Sequence, residues 1–162
     1  MDFVKPDDIV PAEVWLEVIT PLLREGYQLK ICPKGRSMVP FLAGGRDEAV
    51  LSAPDAGRPF KKNDIVLFRL TNGLHVLHRI CRIDGNGIYT LGDGNTAEEG
   101  PFKREDILAT VDYIIRKGKN IKNDDRKYLL LVSVWRLIRP FRPCVISAYS
   151  AIRRFEKRAK KK

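Results

Sequence analysis

The chain has 162 residues, 44% of them hydrophobic and 31% charged, which suits one domain with a buried core and excludes a disordered chain. Its net charge of +10 is lopsided: residues 113–162 hold 16 Lys/Arg against 3 Asp/Glu, and residues 1–112 hold 14 against 17. A nearly neutral body argues against a grip on a nucleic-acid backbone, and a basic tail suits an anionic surface.

No apolar run approaches the roughly 18 residues of a spanning helix, and Met1 to Asp8 lacks the basic start and apolar stretch of a signal peptide. The three cysteines, Cys32, Cys81 and Cys144, show no Cys-x-x-Cys spacing. They read as reduced thiols, two of them in the core, in a cytosolic setting.

Residues 8–25 are expected to form a helix, capped by Asp7 or Asp8, with Pro11 in its first turn. Val14, Val18 and Leu22 recur at four-residue spacing, with Trp15, Ile19 and Leu23 beside them, as in a helix packed on a sheet. Pro21 kinks it or begins its end, and Gly26 stops it. Tyr27 to Cys32 alternates as a strand, broken by Pro33-Lys34-Gly35. Glu48 to Ala53 and Ile65 to Leu70 are further strands. Asn72-Gly73 between two β-like runs signals a hairpin, with the return strand from Leu74 to about Ile83. Turns at 84–87 and 92–95 bracket a short strand, Ile88 to Leu91, and Ile107 to Ile115 is another.

Short strands separated by Gly/Asn/Asp turns indicate a mainly β (α+β) fold. The expected architecture is a small antiparallel, partly barrel-like β domain with an N-terminal helix and a basic C-terminal helical tail. The corresponding division is 1–26 for the helix, 27–116 for the β domain and 117–162 for the tail.

Chemistry centres on Lys34-Gly35-Arg36-Ser37-Met38-Val39-Pro40-Phe41-Leu42, where a small turn presents a serine before an apolar run. A serine hydroxyl needs a base within hydrogen-bond reach to act as a nucleophile at neutral pH. The chain has two histidines, His75 and His78. Strand alternation puts His78 with Leu74, Val76 and Ile80, an apolar face that favours the neutral imidazole a general base needs. His75 falls with Leu77, Arg79 and Cys81, near a hairpin tip, as a solvated residue. The two imidazoles face opposite ways, and no second cluster of metal ligands accompanies them, so neither a metal nor another cofactor is expected. Each residue also has a plain structural reading: Ser37 as a loop serine, His78 as a core histidine bonded to a carbonyl.

In the tail, Asp124-Asp125 caps a helix running from Arg126 to Arg139 with a narrow polar stripe of Ser133, Arg136 and Arg139. Pro140 and Pro143 interrupt it, and Cys144 to about Lys157 is a second helical segment. An apolar helix with arginines on one face and a tryptophan suits a bilayer interface, where neighbouring basic residues each add roughly 1 kcal/mol on an anionic leaflet. The same helix also reads as one packed on the β body or on a second copy. Few aromatics are placed for base stacking, so nucleic acid is not an expected partner.

Gly35-Arg36-Ser37-Met38-Val39-Pro40, then Asp64-Ile65-Val66-Leu67-Phe68, then Val76-Leu77-His78-Arg79-Ile80, then Gly92-Asp93-Gly94-Asn95 occur in an order that resembles the catalytic core of the type I signal peptidases and the related self-cleaving repressors. The resemblance covers roughly residues 30–112. It implies a serine endopeptidase with Ser37 as nucleophile and His78 as general base, since the histidine stands where most bacterial members carry lysine.

The resemblance further implies an acidic residue near the Gly-Asp segment that orients the histidine. Glu99 falls at that place by ungapped count, where the family usually has aspartate, and Asp93 is the other candidate. The Ser37 amide would be one oxyanion donor. Gly35 has no hydroxyl to supply the second, so a backbone amide such as that of Arg36 would have to serve.

The implied substrate is an extended peptide or leader segment with small residues before the cut, taken by strand addition beside Ser37. A transmembrane anchor of the signal-peptidase kind is missing from the sequence. The expectation is therefore a cytoplasmic enzyme, with the inner membrane leaflet as a candidate docking surface for residues 126–162. Two other readings are a self-cleaving regulator, for which residues 1–26 look too short to hold a helix-turn-helix, and a catalytically silent peptide-binding or membrane-associated adaptor.

Overall fold

The computed structural model describes residues 12–70 and 74–141, with side chains from Glu17 onward. Helix α1 (Ala12–Arg24) leads into eight strands: β1 (Leu29–Ile31), β2 (Asp47–Ser52), β3 (Ile65–Arg69), β4 (His75–Asp84), β5 (Gly87–Leu91), β6 (Glu99–Phe102), β7 (Ile107–Arg116) and β8 (Lys119–Lys122). Helix α2 (Arg126–Leu137) follows. The strands form one antiparallel sheet in the order β1-β2-β7-β3-β4-β5-β6, with β8 paired to the end of β7. The sheet does not close, so β1 and β6 are edges.

β3 explains the two-sided core. Four of its five residues are buried, and alternation sends Ile65 and Leu67 to one face and Val66 and Phe68 to the other. The first face carries the larger core. Leu77, Ala109 and Val111 of the sheet meet Met38, Phe41 and Leu42, Ile19 and Leu23 of α1, and Tyr128 and Val132 of α2 there. The second face holds Val66, Phe68, Ile80, Ile88 and Ile107, with Val76 and Phe102 packed against them. Both helices thus cover the first face. Two elements of the expected 117–162 tail join the body: β8 extends the sheet, and α2 packs on the larger core through Tyr128 and Val132.

The inward face of α1 differs from the four-residue stripe. Ile19 and Leu23 are buried, and Val18 is 58% exposed. Pro21 sits inside the helix without ending it. Gly26, at φ +90°, ends it: its amide donates to the Leu23 carbonyl and that of Tyr27 to the Leu22 carbonyl, a glycine-type C-cap. Asp7, Asp8 and Pro11, the Asn72-Gly73 turn and the segment from Cys144 lie outside the described residues. Strands β6 and β8 are additions to the expected set. β6, Glu-Gly-Pro-Phe, is hidden by its Gly and Pro; β8, Lys-Asn-Ile-Lys, has a single apolar residue. The two described cysteines are free, and neither is core: Cys32 is exposed and Cys81 half-buried.

Candidate active site

Ser37 lies in a turn between β1 and β2, held from three sides. On one side its carbonyl accepts the Gly94 amide at 2.6 Å. A β-carbon at Gly92 would sit 2.6 Å from that same carbonyl oxygen, and one at Gly94 would sit 3.0–3.3 Å from the carbonyls of Arg36, Ser37 and Val39. On a second side, a β-carbon at Gly44 would sit 2.6 Å from the Pro33 carbonyl. These three glycines serve close backbone approach, since none has a positive φ.

The third restraint is ionic. Asp47, at the start of β2, is buried and accepts Arg46 Nε at 2.9 Å, Arg116 Nε at 2.9 Å and the Ala43 amide at 2.9 Å. The same two guanidiniums reach on to the Pro40 and Phe41 carbonyls, at 2.7 and 2.6 Å. Burial alone raises the pKa of Asp47, but the bonds from Arg46, Arg116 and Ala43 outweigh it and bring the value from 3.8 down to about 2.

His78, on β4, is 3% exposed. Its Nδ1 lies 2.8 Å from Glu99 Oε2, the first residue of β6. Phe68 flanks the ring edge-on, with centroids 5.9 Å apart. Among the described residues its Nε2 has no hydrogen-bond partner. Thr90 shares this face: it pairs with Ile80 on one side and Glu99 on the other, and its Oγ1 is buried with no partner among the described residues. Glu99 thus takes the place beside the imidazole that sequence left open between two acids. A carboxylate there fixes which ring nitrogen carries the proton and leaves Nε2 as the acceptor.

Asp93 does something else. Its carboxylate takes Arg79 Nε at 3.0 Å and Nη2 at 2.9 Å, a buried two-point pair, and Arg79 also donates to the Asn63 carbonyl and Tyr128 Oη at 2.9 and 2.7 Å. Burial opposes the charge on Arg79, and Asp93 more than restores it, so the guanidinium stays ionised. Arg79 and His78 are neighbours on β4 and point to opposite faces. The segment from Gly92 into β6, the acid loop, therefore sends two of its carboxylates opposite ways: Asp93 braces the larger core, and Glu99 bonds the imidazole. His75, expected in solvent, is half-buried opposite Arg69.

No protein-family model matches the chain, and no curated protein matches it.

Of the four sequence candidates the structure brings His78 and Glu99 together, while Asp93 pairs with Arg79. Ser37 is bonded to the loop that carries Asp93, and that loop runs into β6, where Glu99 bonds His78. The Ser37 hydroxyl does not bond His78 Nε2 here. Sequence reasoning missed Thr90, Gly44 and the Asp47 cluster. Gly44-Gly45-Arg46-Asp47 reads as a plain turn, and nothing local marks Arg116 as its partner.

Proposed function

We propose that this protein is a serine endopeptidase of the signal-peptidase-like class that cuts an extended peptide or leader segment with small residues before the cut. Ser37 is the nucleophile, His78 the general base and Glu99 the residue that orients the base. Asp93 supports the loop that presents Glu99. In this reading His78 takes the Ser37 proton at Nε2 as the hydroxyl attacks the scissile carbonyl. It then returns that proton to the leaving amine, and water repeats the cycle on the acyl-enzyme. The Ser37 amide faces the oxyanion, with the amide of Arg36 as the second donor. The peptide adds as a strand to β1, an edge whose chain runs directly into the serine turn. We place the activity in the cytoplasm, at the inner leaflet of a membrane. Among the described residues no helix is long and apolar enough to cross one.

The single observation carrying the reading is the bond between buried His78 and half-buried Glu99, with Nε2 unpartnered among the described residues. A histidine serving only the core would have both nitrogens satisfied. The test is turnover of small-residue peptide libraries by wild type, Ser37→Ala and His78→Ala. Both variants are expected to fold and to lose at least about 10²-fold, the low end of a base's usual contribution. Equal turnover in all three proteins overturns the assignment. A silent peptide-binding domain is the second reading, favoured by the lack of a hydrogen bond to His78 Nε2 among the described residues. Peptide binding without cleavage by the wild type, together with no labelling of Ser37 by serine-directed probes, selects it. Appearance of two fragments from the purified chain alone selects the self-cleaving regulator.

A further inference from the structure

Helix α2 turns Arg136 toward the body and leaves Leu130, Leu131 and Leu137 outward. Past the helix end, Arg139 turns toward the body as well. Arg136 donates to the Ile80 carbonyl at 3.0 Å, and Arg139, just past the helix, donates to the Thr96 carbonyl and to Glu98 at 3.1 Å. Tyr128 and Val132 are buried on the same side, and Trp135 donates to the Asp93 carbonyl at 2.5 Å. The opposite side is apolar and bare. Leu130 is 66% exposed, Leu131 60%, Val134 52% and Leu137 81%, and Phe141 beyond them is 66% exposed. Positions 130, 134 and 137 repeat at four and three, so they form one continuous stripe along α2. A chain of this size rarely leaves such a stripe in water without a use for it.

Charge says what the stripe meets. Residues 126–141 contain four Lys/Arg and no acid, and the 21 residues that follow hold eight Lys/Arg against one Asp/Glu. Lys127 is exposed and lies on the outward side of the helix, and Lys117, Lys119 and Lys122 are exposed on the hairpin just before it. A second copy of the chain would bring the same positive charge against itself. An anionic bilayer takes leucines into its interface and pairs its headgroups with the flanking cations.

We propose that the outward face of α2, with Leu130, Leu131, Val134 and Leu137 at its centre and Phe141 beyond them, is the surface by which this protein lies on an anionic membrane. This sharpens the membrane part of the functional reading and is independent of the peptidase part. Docking puts the acid loop close to the bilayer, because the inner side of α2 is bonded to Asp93, Thr96 and Glu98.

The experiment is co-sedimentation of the full chain with vesicles of phosphatidylcholine alone and of phosphatidylcholine with phosphatidylglycerol. Wild type and Ser37→Ala are expected to pellet equally with the anionic vesicles, and less as salt rises. The combined variant Leu130→Gln, Val134→Gln, Leu137→Gln is expected to keep the wild-type melting temperature and to bind at least about tenfold less. A second variant, Lys160→Gln, Lys161→Gln, Lys162→Gln, is expected to weaken binding to the anionic vesicles only. No pelleting of the wild type overturns the proposal, and so does undiminished pelleting of the leucine variant. A wild type that sediments as a dimer without lipid, and as a monomer once the leucines are replaced, assigns the stripe to a second copy and equally overturns it.

Discussion

Two acids six residues apart, Asp93 and Glu99, do unrelated work because one is buried against an arginine and the other meets an imidazole. Glu98 is exposed and bonded to Arg139, whereas Asp93 and Glu99 each hold one buried partner on neighbouring positions of β4. This separation makes their neutral variants distinguishable. Asp93→Asn leaves a buried guanidinium short of its counter-charge and is expected to cost roughly 3 kcal/mol of stability, read by urea unfolding. Glu99→Gln is expected to leave unfolding nearly unchanged, because Glu99 is partly exposed, and to lower turnover. Equal stability losses in the two variants would sink this division of labour. Asp93 and Glu99 were both visible in the sequence as candidates near Gly92. Choosing between them took the β5–β6 pairing that sets Glu99 opposite Thr90, and no spacing rule encodes that pairing.

At the scale of elements, the serine turn and the acid loop are fitted to each other through backbone contact. Gly92 faces the Ser37 carbonyl so closely that a methyl group there must displace the turn. Gly92→Ala is therefore expected to reduce turnover by at least about tenfold, with a destabilisation of about 1–3 kcal/mol, the usual cost of overpacking. Gly85, where an added β-carbon meets nothing within 4 Å, is the control: Gly85→Ala is expected to leave turnover unchanged. Helix α2 joins the two pieces from outside. Phe41 of the serine turn packs edge-on against Tyr128 and Trp135, with centroids 5.6 and 6.3 Å apart, while Trp135 bonds the acid loop. The helix was legible from Asp125 onward, and that residue does cap it, accepting the Tyr128 amide at 2.9 Å. Its orientation was not legible, because an arginine stripe reads as solvent-facing until body carbonyls are found for it.

For the molecule as a whole, Asp47 ties β2, β7 and the serine turn into one unit, so its ionisation bears on global stability. Its folded pKa of about 2 lies below the ordinary 3.8. The ionised form is the one folding favours, and the stabilisation is complete above 3.8 and lost as pH falls through about 2. The shift corresponds to about 2 kcal/mol. Melting temperature is expected to fall steeply across that window in the wild type. Asp47→Asn is expected to melt lower at neutral pH and to show a shallower fall in acid. Parallel curves for the two proteins would show that other carboxylates govern acid unfolding.

The chain alone determined the class of this fold and most of its strands, because period-two apolar runs between Gly, Asn and Asp turns are local and survive any packing. It also determined that a serine, a histidine and an acidic loop recur in order, and that positive charge gathers after residue 112. Tertiary structure decided which acid meets the imidazole, which face of α2 is wet, and that the last strand and helix complete the core. Those outcomes rest on contacts between residues far apart in sequence, such as Arg79 with Tyr128 or Asp47 with Arg116. Only the folded chain brings such groups within hydrogen-bond distance, and the cost of leaving a buried charge or carbonyl unpaired then selects one arrangement.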